Sequence, residues 1–134
     1  MFVRDLDDNT SMWHLTGRAS NGRIAHKSSF HLEARALLTS YFPTLQILEE
    51  IPISIRKSET LYLDFYLPLI KTCVEVHGQQ HYEFVPFYHH DIRGFWKTKK
   101  RDREKTEWCA MNNIRHVALP YNETIDQWKE RVQK

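Results

Sequence analysis

Alternating residues near the middle of the chain constrain its fold more than any other feature. Every second residue from Leu61 to Leu67 is a large apolar residue, which is the period-two pattern of a strand. Residues 72–77 are rich in β-branched side chains and predict a second strand. Pro68 to Lys71 lie between the two and predict a tight turn, so the stretch is expected to form an antiparallel hairpin.

The length of this turn predicts how the two strands pair. The expected cross-strand pairs are Tyr66 with Cys73, Asp64 with Glu75, and Tyr62 with His77. Opposed side chains lie about 4.5–5.5 Å apart at Cβ, where two carboxylates repel each other, and a slip of one residue would turn the set to the other face. Because hard divalent cations prefer carboxylate oxygens, Asp64 and Glu75 are predicted to form a metal site.

Length and composition indicate one folded domain. The chain has 134 residues, 41% of them hydrophobic, which excludes a disordered composition. No apolar run is long enough to cross a bilayer and the N-terminus has no signal-peptide pattern, so a cytoplasmic protein without a membrane partner is expected. Cys73 and Cys109 are too few for a disulfide scaffold and are expected to be buried thiols in a reducing compartment.

The remaining patterns predict a mixed fold. Besides the central hairpin, the expected elements are a helix over 30–41, a strand over 45–55, a helix over 95–113, a strand over 114–119 and a last helix beginning at Asn122 or Thr124. The order α-β-β-β-α-β-α favours an α/β (α+β) protein with a central mixed sheet flanked by helices. Residues 28–134 would form this domain, after an N-terminal arm or loop over residues 1–27.

Positive charge is concentrated in two places, although the net charge is only +2. Between Asp91 and Lys105 there are seven Lys or Arg and three acids, which is typical of a phosphate-binding stripe or of a solvated helix face. The segment 13–27 mixes basic and small polar residues. It is interpreted either as an arm that lies on phosphates or as a loop held by Trp13.

The connection from Gly78 to Gly94 is long, aromatic and rich in histidine. Loops of this length in compact domains are often functional. His81, His89 and His90 are candidate zinc ligands, but neither paired cysteines nor a helical His-x-x-x-His pattern accompanies them.

These residues together resemble a known family. Asp64-Phe-Tyr-Leu-Pro, Val74-Glu-Val-His-Gly-Gln-Gln-His81 and Asp102 before a Glu-Lys pair are similar to motifs of the PD-(D/E)xK restriction-endonuclease-like nucleases. The similar branch contains the very-short-patch-repair endonucleases and the phage EDxHD homing endonucleases. The resemblance covers about Ser29 to Glu123 and implies a restriction-endonuclease-like core.

The resemblance also implies roles for individual residues. Asp64 and Glu75, with a backbone carbonyl near Val76, would hold Mg²⁺, for which Mn²⁺ could substitute. Most members have Lys two residues after the Glu, where this chain has His77. His81, preceded by Gln80, resembles the replacement in this branch and would act as general base.

Further residues receive supporting roles from the same resemblance. Glu33 and Asp102 would orient metal-bound water or the histidine, and His77 would hold a water or contact phosphate. The residues expected to bind the DNA backbone are Arg93, Lys97, Lys99, Lys100, Arg101, Arg103 and Lys105, of which Lys105 could instead face the site.

The expected function is therefore that of a Mg²⁺-dependent endodeoxyribonuclease acting on double-stranded DNA in a bacterial or phage-infected cell. Sequence specificity would come from loops, the N-terminal arm or formation of a homodimer. Two alternatives stay open at this point. One is a DNA-binding module on a nuclease fold that has lost catalysis; the other is a mismatch nickase, a junction resolvase or an RNase.

Overall fold

The structure is a computed structural model that describes residues 1–15 and 28–133. Its strands are β1 (Phe2–Arg4), β2 (Thr10–Met12), β3 (Leu48–Arg56), β4 (Glu59–Leu67), β5 (Thr72–His77) and β6 (Arg115–Pro120). Its α-helices are α1 (Ser29–Tyr41), α2 (Pro86–His89), α3 (Ile92–Met111) and α4 (Ile125–Gln133). Over these ranges no helix combines the length and the apolar character that crossing a membrane requires.

A four-stranded mixed sheet of order β3-β4-β5-β6 forms the centre of the fold. Strand β4 is antiparallel to both β3 and β5, whereas β6 is parallel to β5. A parallel pair needs a crossover connection, which here contains α2 and α3. The predicted α/β class with a central mixed sheet and flanking helices is therefore confirmed.

Both faces of the sheet are covered. On one face, Trp108 and Cys109 of α3 pack with Cys73 and with Trp13 of the N-terminal segment. On the other face, side chains of α1 and α4 pack over Phe65 and Val74. Cys73 and Cys109 are buried free thiols, as predicted. Burial of apolar side chains on both faces makes the sheet the rigid support of whatever projects from its strands.

Helix α1 forms where its N-cap and apolar face predicted it. The side chain of Ser28 accepts a hydrogen bond from the backbone N–H of His31, which satisfies one free donor of the first turn. Ala34, Leu37 and Leu38 are buried against the sheet. His31 lies on the same buried face, which brings one imidazole into the interior beside strand β4.

The central hairpin has the predicted turn and the predicted register, but its ladder is shorter than predicted. Residues 68–70 form a 3₁₀ turn, and Lys71 adopts a left-handed conformation that leads into β5. Among the described residues, the ladder between β4 and β5 consists of Phe65–Val74, Tyr66–Cys73 and Leu67–Thr72. The Tyr66–Cys73 pair and the predicted register are confirmed, but the ladder ends at Phe65–Val74, so the pairs predicted beyond it, Asp64–Glu75 and Tyr62–His77, do not form.

Strand β3 is irregular at Glu50, beside the end of this ladder. Glu50 has a φ of 54° and lies between the pairs Glu49–Phe65 and Ile51–Leu63. On the partner strand, Leu63 and Tyr66 belong to the same core although they are three residues apart. The register is the same on both sides of Glu50, so Glu50 lies opposite Asp64, and the register shift between β3 and β4 occurs further along, between Ser54 and Arg56.

Other boundaries differ from the predictions for local reasons. Helix α3 begins at Ile92 because Asp91 caps it, its side chain accepting from the N–H of Gly94 at 3.0 Å. The connection after β5 is not extended loop but contains a 3₁₀ turn (Gln79–His81) and α2.

The N-terminal hairpin of β1 and β2 was not predicted. Because Val3 and Trp13 are buried in the core beside α3, residues 1–15 pack on the domain. The rest of the predicted arm, residues 16–27, lies outside the described residues.

Candidate active site

Asp64 lies at the point where β4 and β5 separate. Its Oδ2 accepts a hydrogen bond of 2.8 Å from the backbone N–H of Val76. This contact links β4 to β5 just beyond the end of their ladder. Ligand atoms of His31 and Glu50 lie within 4.8 Å of one another and of a carboxylate oxygen of Asp64, so α1, β3 and β4 converge on one potential metal position.

The environment of Asp64 disfavours its negative charge. Burial raises the pKa of Asp64 to about 6, and the nearby charge of Glu75 adds to the effect. The hydrogen bond from Val76 and the charge of Lys105 oppose this rise in pKa without cancelling it. A carboxylate that lacks solvation and lies near a second acid is the kind of group that a divalent cation stabilises.

Glu75 lies in the opposite electrostatic situation. Its Oε2 accepts from Nζ of Lys105 at 2.8 Å, and its Oε1 lies 3.0 Å from Nε2 of His116. Burial alone would raise its pKa, but the hydrogen bond with His116 and the charge of Lys105 outweigh burial and lower the pKa of Glu75 to about 2. Glu75 is therefore fully ionised at neutral pH, although its side chain is only 3% exposed.

A histidine–aspartate pair joins the 3₁₀ turn after β5 to helix α3. Nδ1 of His81 is 2.8 Å from Oδ2 of Asp102, which α3 contributes. The ring of His77 stacks on that of His81 with 4.3 Å between centroids and 6° between planes. Burial, with the neighbouring His81, lowers the pKa of His77 to about 4, so His77 is neutral at pH 7. Within the described part of the chain, the buried Nε2 of His77 has no hydrogen-bond partner.

One cavity of about 300 Å³ is lined both by Lys105, the partner of Glu75, and by the His81–Asp102 pair. Its lining residues are Gln80, His81, Tyr88, His89, Thr98, Arg101, Asp102 and Lys105. The cavity therefore brings the His81–Asp102 pair, predicted to take part in catalysis, next to the lysine that binds Glu75. Its other cation, Arg101, is exposed at the surface.

The described residues contain three groups whose ligand atoms lie close enough to share one metal ion. They are His31 with Glu50 and Asp64, Cys73 with Glu75 and His116, and His77 with His81 and Asp102. The two acids predicted to share a metal fall in different groups. The predicted zinc combination is not among them: His89 lines the same cavity as His81, but its Nδ1 accepts a hydrogen bond from the N–H of Val85 at 3.0 Å.

Glu33 does not belong to the candidate site. It is exposed on α1 and belongs to none of the three groups, whereas His31, two residues earlier, faces the interior. Sequence reasoning missed His31, Glu50 and His116. A signal for an irregular strand at Glu50 did exist, because the spacing of three between the apolar residues Leu48 and Ile51 breaks the period-two pattern.

The predicted DNA-binding residues divide into two sets. Those exposed at the surface are Arg93, Lys97, Lys100, Arg101 and Arg103. The other two turn toward the site: Lys99 donates to the carbonyl oxygen of His81 at 3.1 Å, and Lys105 binds Glu75. We call the exposed five the basic stripe.

Comparison with known proteins places the chain beside viral relatives. It is 38% identical to "Uncharacterized protein 307L" of Invertebrate iridescent virus 6 over 61 residues, which are 46% of this chain and 31% of that protein. It is 37% identical to "Uncharacterized protein 094L" of Frog virus 3 (isolate Goorha) over 65 residues, which are 46% of this chain and 40% of that protein. The chain thus spans well under half the length of these relatives. No family model and no solved structure matches it.

Proposed function

We propose that the protein is a metal-dependent endodeoxyribonuclease with the core of the PD-(D/E)xK nucleases. The observation that carries this proposal is the convergence on one cavity of Lys105, which binds Glu75, and of the His81–Asp102 pair. A buried acid, a cation and a proton acceptor are the groups that hydrolysis of a phosphodiester needs close together.

The donor set around Asp64 suits a hard divalent cation. Asp64, Glu50 and His31 offer ligand atoms within 4.8 Å of one another, and Asp64 is the acid whose charge the protein itself stabilises poorly. Glu75 and the backbone at Val76 border the same point of the sheet. Mg²⁺ or Mn²⁺ bound there would supply an activated water and neutralise charge on the phosphate.

His81 is suited to accept a proton. A carboxylate only accepts hydrogen bonds, so Asp102 holds the proton of the neutral His81 ring on Nδ1 and leaves Nε2 as the acceptor. Asp102 is thus a positioning residue that sets the tautomer and orientation of the imidazole.

Lys105 supplies a cation that the neighbouring strand lacks. The family resemblance expects Lys two residues after Glu75, a position that His77 occupies. Helix α3 instead delivers Nζ of Lys105 to within 2.8 Å of Glu75. In this arrangement Lys105 maintains the charge of Glu75 and offers a positive group to a phosphate that enters the cavity. The basic stripe on the same helix would hold the flanking DNA backbone.

A second candidate function has one observation in its favour. Both carboxylate oxygens of Glu75 already have partners within the protein, Lys105 and His116. An acid satisfied in this way does not need a metal, which favours a DNA-binding module that has lost cleavage.

Cleavage of supercoiled plasmid separates the two functions. The proposed nuclease should nick or linearise the plasmid with Mg²⁺ or Mn²⁺ and stop in EDTA, and Asp64→Asn should be inactive while the exposed control Lys129→Gln on α4 cleaves like the parent. DNA binding without cleavage under every metal condition would instead establish the binding module.

A further inference from the structure

Large apolar side chains are concentrated on the surface of residues 82–96, which we call the aromatic projection. The exposed members are Tyr82, Phe84, Phe87, Tyr88, Ile92 and Trp96. Phe87 is 82% exposed and Trp96 is 62% exposed. Exposed apolar groups at this density mark a binding surface more often than an ordinary protein exterior.

The aromatic projection is held in a defined conformation. His89 is buried at its centre, between the rings of Phe84 and Phe95, with centroid distances of 5.9 and 5.3 Å. Nδ1 of His89 accepts from the N–H of Val85 at 3.0 Å. At Gly94 the backbone of α3 approaches so closely that an added Cβ would lie 2.2 Å from the carbonyl oxygen of His89. The exposed rings are thus presented by an ordered support, which lowers the entropy cost of binding.

Positive charge adjoins these rings. A groove of about 610 Å³ along α3 is lined by Trp96, Lys99, Lys100, Asp102, Arg103 and Thr106. Trp96, Lys100 and Arg103 are spaced four and seven residues along the helix, so they lie on one face. A ligand that fits this groove must offer flat apolar rings and regularly spaced negative charges.

Single-stranded DNA has this chemistry. Its bases expose their faces for stacking on aromatic side chains, and its phosphates pair with lysine and arginine. In an intact duplex the same base faces are covered by neighbouring bases. The combination of aromatic and basic side chains therefore selects unpaired DNA, whereas the basic stripe alone would serve a duplex equally well.

We propose that the aromatic projection binds single-stranded DNA, with bases stacked on Trp96 and Phe87 and phosphates on Lys100 and Arg103. This inference rests on the proposed function in that its ligand is DNA, and it specifies a substrate with an unpaired segment next to the site. Tyr88 belongs to the projection and also lines the cavity of His81 and Lys105, so the bound strand would lead directly to that cavity.

Fluorescence can test this binding, because Trp96 is the exposed tryptophan. Trp13, Trp108 and Trp128 are 7%, 0% and 1% exposed. Titration of the full chain in EDTA with an oligothymidylate of about 20 nucleotides, longer than one binding site, should quench tryptophan emission. No quenching, or equal quenching by a blunt duplex of the same length, would overturn the proposal.

Variants then locate the bound strand by fluorescence anisotropy of the labelled oligonucleotide. Trp96→Ala and Phe87→Ala should each weaken binding about five- to hundredfold, as expected for the loss of one stacked base. Gly94→Ala keeps every aromatic ring but displaces their support, and should weaken binding as well. Phe2→Ala is the matched control, because Phe2 is 70% exposed and lies on β1. The backbone N–H of Arg4, at the other end of β1, donates to Asn112 at the C-terminal end of α3, far along the helix from Trp96.

The result of these binding measurements does not depend on catalysis. In EDTA no metal-dependent cleavage occurs, so aromatic-dependent binding would support this inference even if the plasmid assay showed no nuclease. This inference would be wrong if Trp96→Ala and Phe87→Ala bound the oligothymidylate as tightly as Phe2→Ala does, even if the nuclease were active. Circular dichroism of each variant establishes that the fold is retained.

Discussion

Lys105 and Glu75 join helix α3 to strand β5 through a nearly buried ion pair. Nζ of Lys105 lies 2.8 Å from Oε2 of Glu75, and the two side chains are 15% and 3% exposed. They are 30 residues apart in the chain. Together with the hydrogen bond to His116, the pair keeps Glu75 ionised inside the protein, and it places a lysine in the cavity that also contains His81 and Asp102.

Lys105→Met should destabilise the protein by about 3–5 kcal/mol at pH 7, because it leaves a buried carboxylate without its cation. The pKa of Glu75 is lowered from 4.5 to about 2 in the folded state, so its contribution is present above pH 4.5 and is lost as the pH falls toward 2. The stability difference between parent and variant should therefore shrink over this pH range. Urea unfolding at several pH values measures it, with the exposed Lys97→Met on the same helix as control. A difference that does not vary with pH would mean that the pair is electrostatically unimportant.

Asp64→Asn should stabilise the metal-free protein at pH 8. The pKa of Asp64 is raised from 3.8 to about 6 in the folded state. The protonated carboxyl therefore stabilises the folded protein fully below pH 3.8, and this stabilisation is lost as the pH rises through 6. Asn is neutral at every pH and keeps an oxygen for the N–H of Val76. We expect a gain of about 1–3 kcal/mol at pH 8 in EDTA and little difference near pH 4.

Added Mg²⁺ provides the complementary measurement on Asp64→Asn. The thermal midpoint of the parent should rise with Mg²⁺ concentration at pH 8, because a ligand that binds only the folded state stabilises it. The variant should not respond. A variant that responds like the parent would show that the metal lies elsewhere.

His81→Ala should slow cleavage by about 10²–10⁴ while leaving metal-dependent stabilisation intact, the usual range for a lost general base. Asp102→Asn should lower the rate less and change its pH profile, because Asn can hold the wrong tautomer of His81. His77→Ala is measured in parallel, since His77 stacks on His81. Parental activity of His81→Ala together with an inactive His77→Ala would assign the base to His77 instead.

Neutralising Lys100 and Arg103 should weaken duplex binding equally across DNA sequences, because phosphates carry no sequence information. Each lost phosphate contact should make the plot of log affinity against log salt shallower by about 0.9. Filter binding or anisotropy at several salt concentrations gives the slope. Lys129→Gln on α4 is the control, and a slope identical to the parent for Lys100→Gln and Arg103→Gln would mark the stripe as a solvated helix face.

Local features of the sequence determined most of the secondary structure. Ser28 caps α1, residues 72–77 form a strand with the predicted bounds, and the turn between β4 and β5 lies where Pro68 places it. Capping, alternation and turn formation depend on residues close along the chain, so they can be read from it directly. The positive charge of α3 is also evident from the sequence.

Tertiary structure alone decided the arrangement of the candidate site. The ladder between β4 and β5 ends at Phe65, which leaves Asp64 beyond it, and the packing of α1 brought His31 rather than Glu33 to the interior. Which of the seven cations between Asp91 and Lys105 meets Glu75 depends on the rotation of α3 against the sheet. That rotation follows from the burial of Trp108 and Cys109 on the core, a contact between elements distant in sequence that no local pattern encodes.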